Sequence, residues 1–249
     1  MISPQDRDGV VVLEISHGRA NAMDVALLQG LARELDQLPV ETTKAVVLTG
    51  TGEMFSAGIN LPMLLEEGPD YAFELIDALN GLLEKFIELS IPSVAAINGH
   101  AIAGGFVLAS ACDFRLMTSG RGKVGLTELL VGVPFPPVAL EVVRSAVGDR
   151  SARRMVLHGE LFDGAAAERL GLVDELADPT SLLDRAVEIG DRLGRVPSAA
   201  FQLTKRQLMA PLRLRLERLG DRQEQEARQA WVSSETLEVM AGFVRDRLG

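Results

Sequence analysis

Two glycine-containing turns are the segments of this sequence whose backbone is best suited to chemistry. They span 55–61 (FSAGINL) and 98–105 (NGHAIAGG), and each follows a short apolar segment. Glycines and small residues at strand ends allow backbone N–H groups to point into a pocket. Two such turns on neighbouring units could aim two donors at one oxygen, which is the arrangement of an oxyanion hole. Simple tight turns or close helix packing remain the alternative reading.

Glu128 is a lone acid within the apolar run 125–132 (GLTELLVG). Partial desolvation raises the pKa of such a carboxyl group and suits it to act as a general base. The alternative is a structural role, because an acidic residue also fits the first turn of a helix that begins nearby.

The segments around these residues alternate between strand and helix patterns. Short apolar runs predict strands at 10–15, 44–49, 93–97 and 113–117. Helical spacing of apolar residues predicts helices at 24–38, 71–89 and 103–111, with Asp24 as the cap of the first. This alternation favours an α/β fold with parallel strands. After about residue 133 one strand is expected, at 173–176, with helices at 135–147, 149–157, 163–169, 180–194, 199–219 and 221–247.

The composition narrows the classes of function. The 249 residues are 47% apolar, enough for a sizeable core, and carry a formal net charge of −10. An acidic chain repels phosphate backbones, so nucleic acid is not expected as a partner. No apolar window reaches the ~18 residues of a membrane span, and the polar N-terminus is unlike a signal peptide. The single cysteine, Cys112, is expected in the core, and a cytoplasmic chain without membrane association is expected.

Several common catalytic motifs are absent from the sequence. It contains no G-x-G-x-x-G after a strand, no P-loop, no G-x-S-x-G elbow and no H-E-x-x-H pair. Nucleotide phosphate loops, a serine nucleophile elbow and a metal site are therefore not expected. The three histidines lie far apart in sequence, at His17, His100 and His158, and structural roles are expected for them. His100, inside the 98–105 turn, is the one that could take part in chemistry.

Taken together, these motifs resemble the enoyl-CoA hydratase/isomerase family, also called the crotonase superfamily. The resemblance extends from 21–23 to the C-terminal helices and rests on 55–61, 91–101, 104–105, 111–113, 128–134 and 165–174. It implies a crotonase-like α/β fold, with a spiral of β-β-α units over 1–190 and a helical trimerisation region over 191–249. It also implies an acyl-CoA thioester as ligand, no cofactor beyond the coenzyme A of that substrate, and a homotrimer or dimer of trimers.

The same resemblance implies roles for individual residues. The thioester carbonyl would bind between the backbone N–H groups of Ile59 and Gly104, with Glu128 as the catalytic carboxylate. The other residues implied to contact the substrate are Ala20, Ala22, Ala57, Gly58, Asn60, Leu61, Ile102, Gly105, Val107 and Val131. Coenzyme A needs cations near its phosphates, and three arginines are either these cations or solvated surface residues: Arg19, Arg245 and Arg247.

One departure from the family pattern bears on the reaction. Hydratases of the family use two glutamates, and the first falls at Val107, which can neither ionise nor orient water. Isomerases resembling this arrangement keep one glutamate, at Glu128, which predicts isomerisation of a 3-enoyl-CoA to a 2-enoyl-CoA through a dienolate. The alternatives are hydration, thioester hydrolysis, decarboxylation or acyl-CoA binding without turnover. At Asn60, aspartate is common in the family. Glu141 is either a second acid or, as favoured, a residue on a surface helix.

Overall fold

The computed structural model describes residues 2–247, apart from the side chains of Asp221 and Arg247. Its strands are β1 (Ile2–Arg7), β2 (Val10–Ile15), β3 (Ala45–Gly50), β4 (Met54–Ser56), β5 (Ser93–Ile97), β6 (His100–Ile102), β7 (Phe114–Thr118), β8 (Val124–Gly125), β9 (Leu161–Phe162) and β10 (Glu175–Ala177). Its α-helices are α1 (Val25–Asp36), α2 (Leu61–Glu67), α3 (Pro69–Glu88), α4 (Gly104–Ala111), α5 (Pro137–His158), α6 (Gly164–Arg169), α7 (Leu182–Gly194), α8 (Ser198–Trp231) and α9 (Ser234–Arg247). Short 3-10 helices lie at Arg19–Asn21 and Glu128–Val131.

The strands form two sheets whose order shows how the chain winds. The larger sheet has the order β1-β2-β3-β5-β7-β10, and the smaller has the order β4-β6-β8-β9. The first strands of three successive pairs, β3, β5 and β7, are parallel neighbours in the larger sheet. The second strands, β4, β6 and β8, are parallel neighbours in the smaller sheet, and helices follow each pair. The expected spiral of β-β-α units with a C-terminal helical region is therefore confirmed.

Burial on both faces explains the apolar character of the central strands. Strands β3 and β5 are buried along their whole length. Val47 and Val94 pack with Ile189 of α7 on one face, whereas Leu48 lies in the main core on the other. Such two-sided packing is typical of parallel strands and suits β-branched residues. The predicted core position of Cys112 is also confirmed, and burial raises the pKa of its thiol to about 12.

The strand predictions succeed for four strands of the larger sheet, β2, β3, β5 and β7, and fail for β1 and for the smaller sheet. The four strands predicted in the first half correspond to β2, β3, β5 and β7, each within one residue. The edge strand β1 has polar, partly exposed residues, so its apolar content did not reveal it. The strands of the smaller sheet have two or three residues each, too few for a periodic pattern. The late strand is β10 rather than 173–176, and β9 is a second late strand.

Glycines divide two of the long helical segments. Gly148 (φ 76°) interrupts α5 and Gly220 (φ 62°) interrupts α8, because these left-handed conformations favour glycine. Both predicted breaks are confirmed. The single helix predicted over 221–247 is wrong, since the chain leaves the helical conformation after Trp231 and the Ser233 hydroxyl caps α9 by accepting a backbone hydrogen bond.

The helices bear on the expected domain boundary and on the expectation of no membrane span. Helix α7 continues past residue 190 to Gly194 and packs on the larger sheet, so the boundary expected at 190 lies inside this helix. Helices α8 and α9 follow it as the C-terminal helical region. Over residues 2–247 no helix is both long and apolar enough to cross a membrane.

Candidate active site

Three segments that leave the smaller sheet meet at one of its edges. Ile59 follows the end of β4, Gly104 follows the end of β6, and Glu128 follows the end of β8, each within three residues. Because β4, β6 and β8 are adjacent and parallel, their carboxyl ends lie side by side. The winding of the chain therefore brings together three groups that are far apart in sequence.

The first turn is held by hydrogen bonds to Met23. The N–H of Met23 donates to the carbonyl of Gly58 (2.7 Å), and the N–H of Asn60 donates to the carbonyl of Met23 (2.8 Å). Ile59 lies between these two bonds in a parallel bridge, so its own N–H points away from Met23. Asn60 also caps α2, because its side-chain oxygen accepts a hydrogen bond from the N–H of Met63 (3.2 Å).

The second turn lies directly against the first. Ala103 has a φ of 51° and ends the turn, after which Gly104 begins α4. A methyl group on Gly104 would lie 2.4 Å from Cε of Met23 and 3.8 Å from the backbone nitrogen of Ile59. The two turns therefore lie in van der Waals contact, and a side chain at Gly104 would have to displace the end of Met23.

The N–H groups of Ile59 and Gly104 form a pair of unused donors. Within residues 2–247 neither donates a hydrogen bond to another protein group. Gly104 opens a helix, where N–H groups have no intrahelical partner and favour negative charge. The arrangement can hold one oxygen atom on which negative charge develops.

Glu128 opens a 3-10 helix rather than capping α5, which begins at Pro137. The residue is partly exposed as a whole, but its Oε2 atom is buried and has no hydrogen-bond partner. Burial raises the pKa of this carboxyl to about 8, against a smaller opposing effect of the backbone at Glu128 and Thr127. A carboxyl group poised near neutral pH can both accept and return a proton.

A cavity of about 640 Å³ contains these groups. Eleven of the residues implied by sequence to form the site line it: Ala20, Ala22, Ala57, Ile59, Asn60, Leu61, Ile102, Gly104, Val107, Glu128 and Val131. Gly58 and Gly105 are not among its lining residues. A methyl group on Gly58 would lie 3.1 Å from the nitrogen of Gly104, and one on Gly105 would lie 2.3 Å from the carbonyl oxygen of Ser56. These two glycines set the spacing of the turns.

Several lining residues were not identified from the sequence. Trp231 on α8, Phe243 on α9 and Leu79 on α3 reach the cavity from distant helices. Trp231 is buried, and its Nε1–H donates to the carbonyl of Pro134 (2.8 Å). The available signal was a single tryptophan directly after the mainly polar stretch 221–230 (DRQEQEARQA).

His17 and Asp24 also line the cavity, and they contact each other. Nε2 of His17 lies 2.7 Å from Oδ2 of Asp24. The other carboxylate oxygen of Asp24 accepts a hydrogen bond from the N–H of Leu27 (2.8 Å), so Asp24 is the predicted cap of α1. The pair combines a structural role with a position at the site.

Glu141 is buried, so its favoured placement on a surface helix is wrong. Its carboxylate accepts a hydrogen bond from Nη1 of Arg144 (2.7 Å) and another from Nε of Arg215. It is not among the described residues that line the cavity, so it does not supply a second acid there.

The three arginines considered for coenzyme A have different positions. Arg19 is exposed and lines the cavity. Arg245 is exposed on α9 and is not among the lining residues described. The side chain of Arg247 lies outside the described part of the chain. Arg19 is therefore the arginine that could meet an anionic ligand at this cavity.

Comparison with known proteins agrees with this fold. A family model described as Enoyl-CoA hydratase/isomerase matches residues 5–247. The putative enoyl-CoA hydratase of Thermus thermophilus is 34% identical, over 77% of this chain and 77% of its own length. The mitochondrial enoyl-CoA delta isomerase 1 of rat is 27% identical, over 82% of this chain and 72% of its own length.

A solved structure shows the same fold. The structure of human mitochondrial delta3-delta2-enoyl-CoA isomerase has a TM-score of 0.91 and 24% sequence identity, covering 98% of this chain and 96% of that chain. The chain belongs to the enoyl-CoA hydratase/isomerase family, as its motifs predicted. Relatives named as hydratases and as isomerases both match it, so the choice of reaction depends on the site itself.

Proposed function

We propose that this protein isomerises a 3-enoyl-CoA to the conjugated 2-enoyl-CoA, with Glu128 as its single acid and base. The observation that carries the proposal is the unpaired, buried carboxyl oxygen of Glu128, in a cavity also lined by Ile59 and Gly104. A group that can take and return a proton, beside two free N–H donors, meets the needs of an enolate mechanism.

The reaction proceeds in two proton transfers. Ionised Glu128 removes a proton from C2 of the acyl group, and the electron pair of that C–H bond moves into a dienolate with its charge on the thioester oxygen. The N–H groups of Ile59 and Gly104 stabilise this oxygen, each contributing about 3–4 kcal/mol. Protonated Glu128 then delivers the proton to C4, while the C2–C3 double bond forms and the carbonyl is restored.

The raised pKa of Glu128 suits both transfers. With a pKa of about 8, roughly a tenth of the molecules carry the ionised base at pH 7. The remaining molecules store the proton on an acid whose strength is close to the working pH. General acid–base catalysis is most effective when the pKa lies near that pH.

Val107 supports isomerisation over hydration. Its side chain is 1% exposed and lines the cavity, so it places a hydrocarbon surface where a second carboxylate would be needed to hold water. The other carboxylate among the described lining residues is Asp24, which contacts His17 at 2.7 Å. A dry surface next to the dienolate also limits its side reactions.

Hydration is the second candidate, because the 34%-identical relative from Thermus thermophilus is named a putative enoyl-CoA hydratase. In that reaction the same two N–H donors would hold the thioester oxygen, and Glu128 would have to handle both water and proton. Such a one-carboxylate hydratase would be slow, since two separate proton transfers then depend on one group.

The test is incubation of the purified protein with a 3-enoyl-CoA in D₂O, followed by chromatography that separates the two double-bond isomers and by mass spectrometry of each product. The variant is Glu128→Gln, and the matched control is Glu141→Gln, which neutralises a buried glutamate outside the cavity. We expect 2-enoyl-CoA from the wild type and the control and none from Glu128→Gln.

A product heavier by one water would favour hydration, and free coenzyme A or a chain shortened by one carbon would indicate hydrolysis or decarboxylation. Binding without product or deuterium at C2 would indicate a non-catalytic acyl-CoA-binding protein.

Three features implied by the family resemblance stay predictions. They are a homotrimer or dimer of trimers, a cytoplasmic location, and the absence of any cofactor beyond the coenzyme A of the substrate. Light scattering of the purified protein would test the assembly. An activity assay after exhaustive dialysis against chelator would test the absence of a cofactor, and full activity is the expected result.

A further inference from the structure

The cavity around Glu128 has an exposed mouth and a buried interior. At the mouth, the exposed lining residues are Gly18, Arg19 and Pro62. In the interior, the buried lining residues apart from Asp24 and Gly104 have hydrocarbon or aromatic side chains: Leu79, Val107, Val131, Val133, Pro136, Ala139 and Trp231. The nucleotide of coenzyme A is large and polyanionic and requires the open, cation-bearing mouth, so the interior is left for the acyl group.

The charges of the lining residues follow the same division. Apart from Glu128, the charged or titratable lining residues described are His17, Arg19 and Asp24. All three lie in or next to the loop after β2, with Arg19 exposed at the mouth and His17 in contact with Asp24. The buried interior, as far as residues 2–247 line it, therefore contains no cation.

Hydrogen bonds fix the wall of this interior. The Nε1–H of Trp231 donates to the carbonyl of Pro134 (2.8 Å), so the one polar atom of that side chain is satisfied. The hydroxyl of Thr236 donates to the carbonyl of Gly132 (3.2 Å), which ties α9 to the same loop. The part of the wall formed by Trp231 consequently offers hydrocarbon surface to a ligand.

We infer that the interior selects acyl groups with an uncharged, apolar end and rejects those that carry a terminal carboxylate. A carboxylate forced into a buried site without a cation or donor loses its hydration without compensation. A hydrocarbon end instead gains from leaving water. The inference rests on the proposed function in one respect, namely that the ligand is an acyl-CoA thioester with its acyl group in the interior.

The test compares hexanoyl-CoA with adipoyl-CoA by isothermal titration calorimetry, with coenzyme A alone as the baseline. Both acyl chains have six carbons and no double bond, and they differ in the terminal carboxylate. We expect hexanoyl-CoA to bind about 100-fold more tightly, because an unpaired buried charge costs several kcal/mol and each factor of ten in affinity corresponds to about 1.4 kcal/mol. A ratio below about tenfold would overturn the inference.

A gain-of-function variant locates the effect. Phe243 lines the cavity and is only partly buried, so a lysine there can keep its ammonium group hydrated. Phe243→Lys should raise the affinity for adipoyl-CoA at least about tenfold through a charge pair, whereas the uncharged control Phe243→Met should not. An unchanged affinity for adipoyl-CoA in folded Phe243→Lys would contradict the placement of the acyl end.

The calorimetric result is independent of the isomerase experiment. Both ligands lack the double bond that migrates, so their affinity ratio is readable whether or not the protein isomerises a 3-enoyl-CoA. A failure of turnover in D₂O would remove the proposed reaction and leave the affinity ratio intact. A failure of the ratio would remove the selectivity and leave the reaction intact.

Discussion

Two glutamates enclosed by this fold have opposite surroundings. Glu141 on α5 is 2% exposed and is bound by the guanidinium groups of Arg144 and Arg215. Glu128 has a buried Oε2 with no partner, and burial raises the pKa of its carboxyl. Burial alone therefore does not mark a catalytic acid. The carboxyl left unpaired remains free to exchange protons, whereas the paired one joins α5 to α8.

The local sequence explains this difference in part. Arg144 follows Glu141 by one turn of helix, so the helix itself supplies one cation, and α8 supplies Arg215. Glu128 lies in a 3-10 helix whose following residues are Leu129, Leu130 and Val131. Of these, Val131 lines the cavity with Glu128, whereas Leu129 and Leu130 are exposed, so the apolar surroundings of the carboxyl come largely from other segments.

The largest expected effect is a difference in kcat between the two glutamine variants, Glu128→Gln and Glu141→Gln. Glu128→Gln should lower the kcat for double-bond migration at least ~1,000-fold, because general acid–base groups typically contribute 10²–10⁴-fold and this one serves both steps. Glu141→Gln should leave kcat nearly unchanged, since its carboxylate lies outside the cavity. Steady-state kinetics on variants shown to be folded by circular dichroism measures both. An equal loss of kcat in the two variants would contradict the assignment of catalysis to Glu128 alone.

The pH dependence of stability separates the two glutamates next. The pKa of Glu128 rises from 4.5 to about 8 on folding, so between these values the folded state binds more protons than the unfolded state. The free energy of unfolding should therefore fall by about 3 kcal/mol as pH rises from 5 to 8, and level off above. Urea denaturation measures this slope. Glu128→Gln should lose it and Glu141→Gln should retain it, and a slope that survives in Glu128→Gln would contradict the assignment.

The two N–H donors can be tested independently of Glu128. In Gly104→Ala the added methyl group would contact the flexible end of Met23 and lie 3.8 Å from the nitrogen of Ile59, beside the proposed oxygen position. Alanine keeps the N–H, but crowding of that position should weaken the hydrogen bonds to the oxygen, and loss of one such bond typically lowers kcat ~100-fold or more. The control is Gly81→Ala, because a methyl group on Gly81 of α3 meets nothing within 4 Å. A fully active Gly104→Ala protein would mean that the thioester oxygen does not bind at this position.

The smallest expected effect concerns stability at neutral pH. Glu141→Gln should lower the free energy of unfolding by about 2 kcal/mol, because breaking a buried ion pair costs ~3–5 kcal/mol and both arginines are about a third exposed, which reduces that loss. Glu128→Gln should not destabilise the fold, since the replaced oxygen has no partner to lose. Thermal denaturation of the three proteins at pH 7 compares them, and a fold weakened more by Glu128→Gln would reverse the comparison.

The sequence predicted the parts of the site that depend on local pattern. A lone acid in an apolar run identified Glu128, and glycines at strand ends identified the turns that contain Ile59 and Gly104. The family resemblance added the departure at Val107, which lines the cavity as expected. Each of these signals is contained within a few consecutive residues.

The remaining parts depend on contacts between distant segments. Trp231 and Pro134 are 97 residues apart, so no local pattern shows that they meet. Glu141 resembled a surface residue because its arginine partner on α8, Arg215, is 74 residues away in sequence. The short strands of the smaller sheet exist because their neighbours pair with them, not because their own residues favour strands.

The contact between Trp231 and Pro134 also has a consequence for the order in which the protein matures. Chains are synthesised from the N-terminus, and folded parts form as they emerge. Both sheets and the turn with Glu128 precede Trp231 in the chain. A chain part-way through translation therefore has Glu128 beside a cavity that lacks the side chains of Trp231 and Phe243, and the proposed acyl site is complete only after α8 and α9 have folded onto the rest of the chain.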